Sequence, residues 1–210
     1  EVQRLRDKGI LTIVTDHHLA DNSKIPPGIV VNPNHPECNY PFKQISGCGV
    51  ALKLILALRK FFRESGFWNE KIPEPNLRES LDLVAMGTVA DVVSLLDENR
   101  ILTFHGLKVL NEKPRISIKV LKELKKVNEI TSRSIGFQFA PLLNAAGRLK
   151  DANIAVKFLL SEDEQEAREI ANTLDIANNE RRDRESEMIE VALPLCESQK
   201  NNPAIIISSS

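Results

Sequence analysis

Cysteine, net charge and long apolar runs are all scarce in this chain, and each scarcity excludes something. Cys38, Cys48 and Cys196 are odd in number and widely spaced, which argues against a disulfide framework or a zinc site and fits a reduced cytoplasmic protein. Lys and Arg number 28 against 29 Asp and Glu, for a net charge of −1 and a pI near 6.5. No overall basic field therefore announces nucleic acid, although a local groove of Lys and Arg is compatible with that sum. No apolar run approaches the ~20 residues that a membrane span needs, and no signal peptide is visible. What is present suits a folded chain. At 210 residues and 42% hydrophobic, it can bury roughly 70% of its unfolded surface as one domain, or form a domain with an appendage.

The most informative segment is VTDHHLAD, residues 14–21. An apolar run from Ile10 to Val14 stops there, and such a run reads as a buried strand of an α/β sheet. Side chains at the carboxyl end of such strands line the ligand crevice, so Asp16, His17 and His18 are candidate site residues. Adjacent histidines on extended chain point to opposite sides. One can hold a metal while the other faces substrate only if the chain turns between them. Asp16 is placed to fix a ring tautomer from behind the ligands. The alternative is a chance tripeptide in a turn.

Elements alternate along the rest. A short half-helix precedes the strand, and Ile29 to Val31, after Pro26, Pro27 and Gly28, reads as an edge strand. Ser46 is a plausible N-cap for a helix with Val50, Leu54, Leu58 and Phe61 on one apolar face. A second helix is expected from about Leu77 to Ala85, running into Gly87, and a third from Asp97 through Leu102, Leu107 and Leu110. Strand signals are few after residue 31, so this half is expected to be mostly helical.

Three further blocks accompany the Asp-His-His segment: NPNHPECNYPFKQISGCGVALKL at 32–54, LDLVAMGTVADVVSL at 81–95 and PLLNAAGRLKDA at 141–152. Together, in this order, they resemble the DHH phosphoesterase family, and within it the bacterial exonucleases specific for single-stranded DNA. The likeness runs from about Gly9 to the end. It implies an α/β fold: a partial DHH-type domain with a parallel sheet and a largely helical second half over 1–160, a long connecting helix over 161–200, and the start of a second, DHH-associated domain over 201–210. The family's two-metal site takes its first carboxylates from an Asp-x-Asp motif and a later strand, both of which would precede residue 1. The chain is accordingly expected to be a fragment, inactive by itself.

By the same resemblance His17 and Asp91 are metal ligands, since a hard divalent cation acting on phosphate needs carboxylates beside imidazole. The alternative for Asp91 is a helix-terminal carboxylate satisfied by backbone amides. Asp82 and Asp97 are expected to be surface or capping groups. Gly47, in SGCGVA at 46–51, permits a phosphate contact at a helix start, with tight helix packing as the alternative. Arg148 in LNAAGRL can grip two phosphate oxygens, with Asn144 on the same ligand; the alternative is a helix-end Arg paired to Asp151. His18 is expected to touch the phosphate. His35 and His105 have no partners at metal spacing and read as solvated or packed histidines.

Beyond Leu160 long charged tracts appear. Ile170, Leu174 and Ala177 form one apolar stripe, and Met188, Val191, Ala192 and Leu195 another, with a polar middle. A helix polar all round bridges solvent between domains. The terminal PAIIISSS looks like a first strand of a further domain. The implied activity is Mn²⁺- or Mg²⁺-dependent release of 5′-mononucleotides from the 5′ end of single-stranded DNA in repair and recombination, with a single-strand-binding protein or helicase as possible partner. The alternatives are another DHH phosphoesterase, acting on oligoribonucleotides, cyclic dinucleotides or pyrophosphate, and a non-catalytic replication scaffold.

Overall fold

The structure is a computed structural model and describes residues 1–19, 21–149, 151–201 and 203–207. Two compact units divide it: Glu1–Arg115 with Val127–Phe137, and Ile116–Lys126 with Gln138 onward.

In the first unit a short helix, α1 (Val2–Asp7), leads to β1 (Ile13–Thr15), which pairs in parallel with β2 (Ile29–Val31), Val14 opposite Val30. The parallel pairing and the edge-strand reading of 29–31 agree with expectation. The length and burial of β1 do not, because Ile10 and Leu11 lie outside it and Ile13 is 53% exposed. A parallel strand is buried when its sheet has neighbours and cover on both faces, whereas among the described residues this sheet has two strands, packed on α2 (Gly47–Glu64).

Helix α2 begins as read. The Ser46 hydroxyl accepts from the Gly49 amide at 3.1 Å, satisfying one free donor of the first turn. Its buried residues, however, are Gly49, Val50 and Leu52, while Leu58 and Phe61 are exposed. Among the described residues the apolar face is covered near its start, where α3 (Leu81–Ala90) crosses it and β1 packs on it. Helix α3 starts later than expected and runs through Gly87. That glycine is a contact point rather than a stop, since a methyl there would run into Cys48 Sγ on α2. Helix α4 (Asp97–Glu112) packs tightly on α3, and its buried face is Asn99, Thr103, Gly106 and Leu110. The leucine spacing that located α4 therefore did not locate its inner face.

Asp82 corrects a second expectation. It is 2% exposed and pairs with Arg115, whose Nε and Nη2 both donate to its carboxylate. Near the start of α3 the carboxylate also accepts from the Leu83 amide, so a buried charge is neutralised on two sides. Asp97, by contrast, is exposed at the first turn of α4.

The second unit is helical: α5 (Ile116–Leu124), α7 (Ala140–Asn144) with a 3-10 turn over Ala145–Arg148, α8 (Asn153–Leu160) and α9 (Glu164–Ser198), following a single turn, α6 (Ser132–Ser134), that belongs to the first unit. The long helix agrees with the family expectation. Asp163 caps it by accepting from the Glu166 amide at 2.7 Å. At 1.5 Å per residue it spans about 52 Å. Its inner stripe is Ala167, Ala171, Leu174 and Ala177, against α5, α7 and α8; small residues let these helices approach. From Arg182 to Glu190 every residue is exposed, including Met188 at 69%. Residues 203–207 form no strand; 208–210, the rest of the expected strand, lie outside the described residues. Among the described residues no helix is long and apolar enough to cross a membrane.

Candidate functional site

The strand ends and the site begins at Asp16, whose amide makes the last rung to the Val31 carbonyl at 3.1 Å. Its carboxylate then turns back on the chain. One oxygen accepts from the His17 amide at 2.7 Å and the His18 amide at 3.2 Å, an Asx-type turn. The same oxygen meets the His18 ring nitrogen Nδ1 at 2.7 Å. The turn brings the two imidazoles to one side, with centroids 4.4 Å apart and planes tilted by 43°. Extended chain would have sent them apart, so the condition for a shared histidine site is met. Asp16 fixes the ring of His18 rather than that of His17. A carboxylate only accepts, so Nδ1 carries the proton and Nε2 is left for solvent or ligand. Burial works against ionisation of Asp16, but the bonds from the His18 ring and the His18 and His17 amides outweigh it and hold its carboxyl below the usual range.

The His17 ring reaches α3. Its Nε2 stands 3.3 Å from Asp91 Oδ2, with side-chain exposures of 16% and 38%. Asp91 is the residue at the carboxyl end of α3, where its amide donates to the Gly87 carbonyl. The helix-capping alternative for its carboxylate requires free amides, and a helix end of this polarity offers carbonyls. A carboxylate there is opposed by the helix dipole, and a cation beside it would offset that cost. The next residue, Val92, has φ +58°, a left-handed conformation that a β-branched side chain adopts only at a cost on the order of 1–3 kcal/mol. Gly47 closes the back of the site. A methyl on it would lie 3.3 Å from His17 Cδ2, so the structure brings Gly47 against the His17 ring, in support of its packing reading.

Carboxylate oxygen is the donor a hard divalent ion prefers, with an imidazole nitrogen as an added borderline donor, and adjacent ligands at about 2.1 Å from such an ion stand about 3 Å apart. His17 and Asp91 fit that spacing as part of a coordination sphere. Among the described residues no three His, Cys, Asp or Glu side chains form a group able to hold a metal ion.

Two asparagines of the NPN sequence after β2 also belong to the site. Asn34 Nδ2 donates to the His17 carbonyl at 2.7 Å and Asn32 Nδ2 to the His18 carbonyl at 2.9 Å. Their one signal in the sequence is polar residues directly after an apolar strand. Asn144 and Arg148 lie in the second unit, on α7 and the following 3-10 turn, and both are exposed. Among the described residues no bond joins Arg148 to Asp151, whose carboxylate instead accepts from the Asn153 amide. His35 Nδ1 accepts from the Glu37 amide, and the ring of His105 lies edge-on to Phe104; both are local contacts, as expected. A cavity of about 530 Å³ between β2, the 32–40 loop and α2 is lined by Val30, Ile45, Val50, Lys53 and Tyr40 and includes neither His17 nor Asp91.

Comparisons with known proteins agree with the family likeness. Residues 1–88 match the DHH family, N-terminal domain. The single-stranded-DNA-specific exonuclease RecJ of Escherichia coli (strain K12) is 46% identical over 200 residues, which is 93% of this chain and 35% of that protein. RecJ of Bacillus subtilis (strain 168) is 37% identical, over 25% of its own length. The chain thus spans about a third or less of these relatives. A crystal structure of exonuclease RecJ bound to manganese superposes with a TM-score of 0.77 at 33% identity, covering 93% of this chain and 47% of that one. RecJ from Thermus thermophilus in complex with Mg²⁺ gives 0.69 at 32% identity, over 89% of this chain and 27% of that one.

Proposed function

From the match of residues 1–88 to the DHH family, N-terminal domain, we propose that the protein is a member of that family and a metal-dependent exonuclease that hydrolyses single-stranded DNA from the 5′ end. The observation that carries this reading is the approach of His17 Nε2 to Asp91 Oδ2 at 3.3 Å, two family-motif residues far apart in the sequence. Mn²⁺ or Mg²⁺ held there would lower the pKa of a bound water and stabilise the leaving oxygen of an in-line displacement. His17 and Asp91 supply donors to it, with Asp16 behind them. His18, turned by Asp16 so that Nε2 faces outward, contacts the phosphate. Arg148 and Asn144 bind a phosphate of the strand. Two side-chain donors alone make a poor site for an ion that prefers six, so the 210-residue chain by itself is inactive in this reading.

With it goes a proposed division of the chain into a DHH phosphoesterase portion over 1–160 and a connecting helix over 161–200. The setting is DNA repair and recombination in the cytoplasm, with a single-strand-binding protein or helicase as partner.

The test is Mn²⁺-dependent nucleotide release from 5′-labelled single-stranded DNA by the full-length protein, with duplex DNA, short RNA and pyrophosphate as competitors. Stepwise 5′ cleavage of the single strand, lost in His17→Ala with the fold intact, is the expected result. Preference for a competitor would reassign the protein to another DHH branch, and DNA binding without turnover would make it a scaffold.

A further inference from the structure

The carbonyls of His17 and His18 lie beyond the last rung of the sheet, so no strand partner holds them. Asn34 and Asn32 do. The peptide joining His17 to His18 is a rigid plane, and it is held at both ends: the His18 amide donates to Asp16 and the His17 carbonyl accepts from Asn34. The plane before it is held through the His17 amide, again by Asp16, and the plane after it through the His18 carbonyl, by Asn32. Three successive planes held in this way restrict φ and ψ of both histidines.

The clamp is itself braced. Asn32, 6% exposed, accepts from the Asn34 amide at 2.8 Å, and Asn34 Nδ2 also reaches the Lys43 carbonyl at 3.2 Å. The Lys43 ammonium donates to the Pro33 and Cys38 carbonyls at 2.6 Å each. The loop from residue 32 to 43 is thereby closed on itself before it meets the histidines.

We propose that Asn32 and Asn34 are positioning residues for the His17–His18 pair, setting the direction of His17 Nε2 toward the metal and of His18 toward substrate. The proposal rests on the proposed function, and its test separates the two. In full-length protein, Mn²⁺ affinity is measured by the EPR signal of free Mn²⁺, alongside kcat, KM for single-stranded DNA and the thermal midpoint. Groups that orient a metal ligand cost roughly 10–100-fold in metal affinity or activity when removed. Asn34→Ala is expected to weaken Mn²⁺ binding by a factor in that range in protein that remains folded, beyond any change in the folded fraction, with excess Mn²⁺ restoring turnover. Asn32→Ser serves as the second variant if Asn34→Ala does not fold.

If His17→Ala binds Mn²⁺ as tightly as the parent, the ligand assignment fails and the positioning role fails with it. If His17→Ala weakens binding and the asparagine variants do not, the positioning role alone is overturned. Activity that falls only with the folded fraction, or loss of the fold in both asparagine variants, would overturn it in favour of a purely structural loop.

Discussion

Glu98 shows what one side chain gains from two partners. Its carboxylate receives the Tyr40 hydroxyl at 2.5 Å and lies 2.5 Å from the Lys53 ammonium. Burial alone would favour the neutral acid, but the bonds from Lys53 and Tyr40 outweigh it and hold the carboxyl below its ordinary 4.5. A carboxyl whose pKa is depressed on folding contributes stability above its unfolded pKa and loses it as pH falls through the folded value. Glu98→Gln is therefore expected to be less stable than the parent at neutral pH, with the difference shrinking as pH drops below about 4.5. Urea melts at a series of pH values measure it, and a difference independent of pH would refute the charge argument. Asp82 and Asp91 make the complementary point. Both are carboxylates of one short segment, yet one is buried against Arg115 and the other is half-open to His17. Residue type was readable at both positions, and only the neighbours supplied by folding separated a buried ion pair from a carboxylate facing an imidazole.

Helix α2 is the element that organises the site. Ser46 caps it and also shares a 2.8 Å hydrogen bond with Thr88, which is fully buried on α3. Its first residue, Gly47, then lies against His17. Removal of the Ser46 hydroxyl forfeits a cap worth ~1 kcal/mol and strands the Thr88 hydroxyl at ~1–3 kcal/mol, so Ser46→Ala should destabilise the fold by roughly 2–4 kcal/mol. A shift of the urea midpoint too small for ~1 kcal/mol would mean that water replaces the hydroxyl. The cap was legible because capping is local, an oxygen-bearing side chain three residues before the amide it serves. The inner faces of α2 and α4 were not, because burial depends on where a second helix crosses. Gly106 makes this concrete: a methyl there would run into the Leu81 carbonyl and the Ala85 side chain, a constraint imposed wholly by α3.

At the scale of the molecule, stability is unevenly spread along α9. Its first half is packed through Ala167, Ala171 and Leu174, and its Arg168 is tied to Glu123 and Glu164. From Arg182 to Glu190 no residue is buried. Local opening costs least where little apolar surface is lost, so within α9 trypsin should cut after Arg182 and Arg184 well before Arg168. Mass spectrometry of a timed digest reads the order, and early cleavage at Arg168 would contradict it. Composition, periodicity and four ordered motifs were enough to anticipate the helical second half, the edge strand and the long helix, because each depends on residues within a few positions of one another. Contacts between distant segments settled the rest: that His17 faces Asp91, and that Asn32 and Asn34 grip carbonyls 14 and 17 residues earlier. Local pattern specifies which groups are present and on what kind of element. Their mutual direction arises only when the backbone planes and packed helices of the whole unit come together.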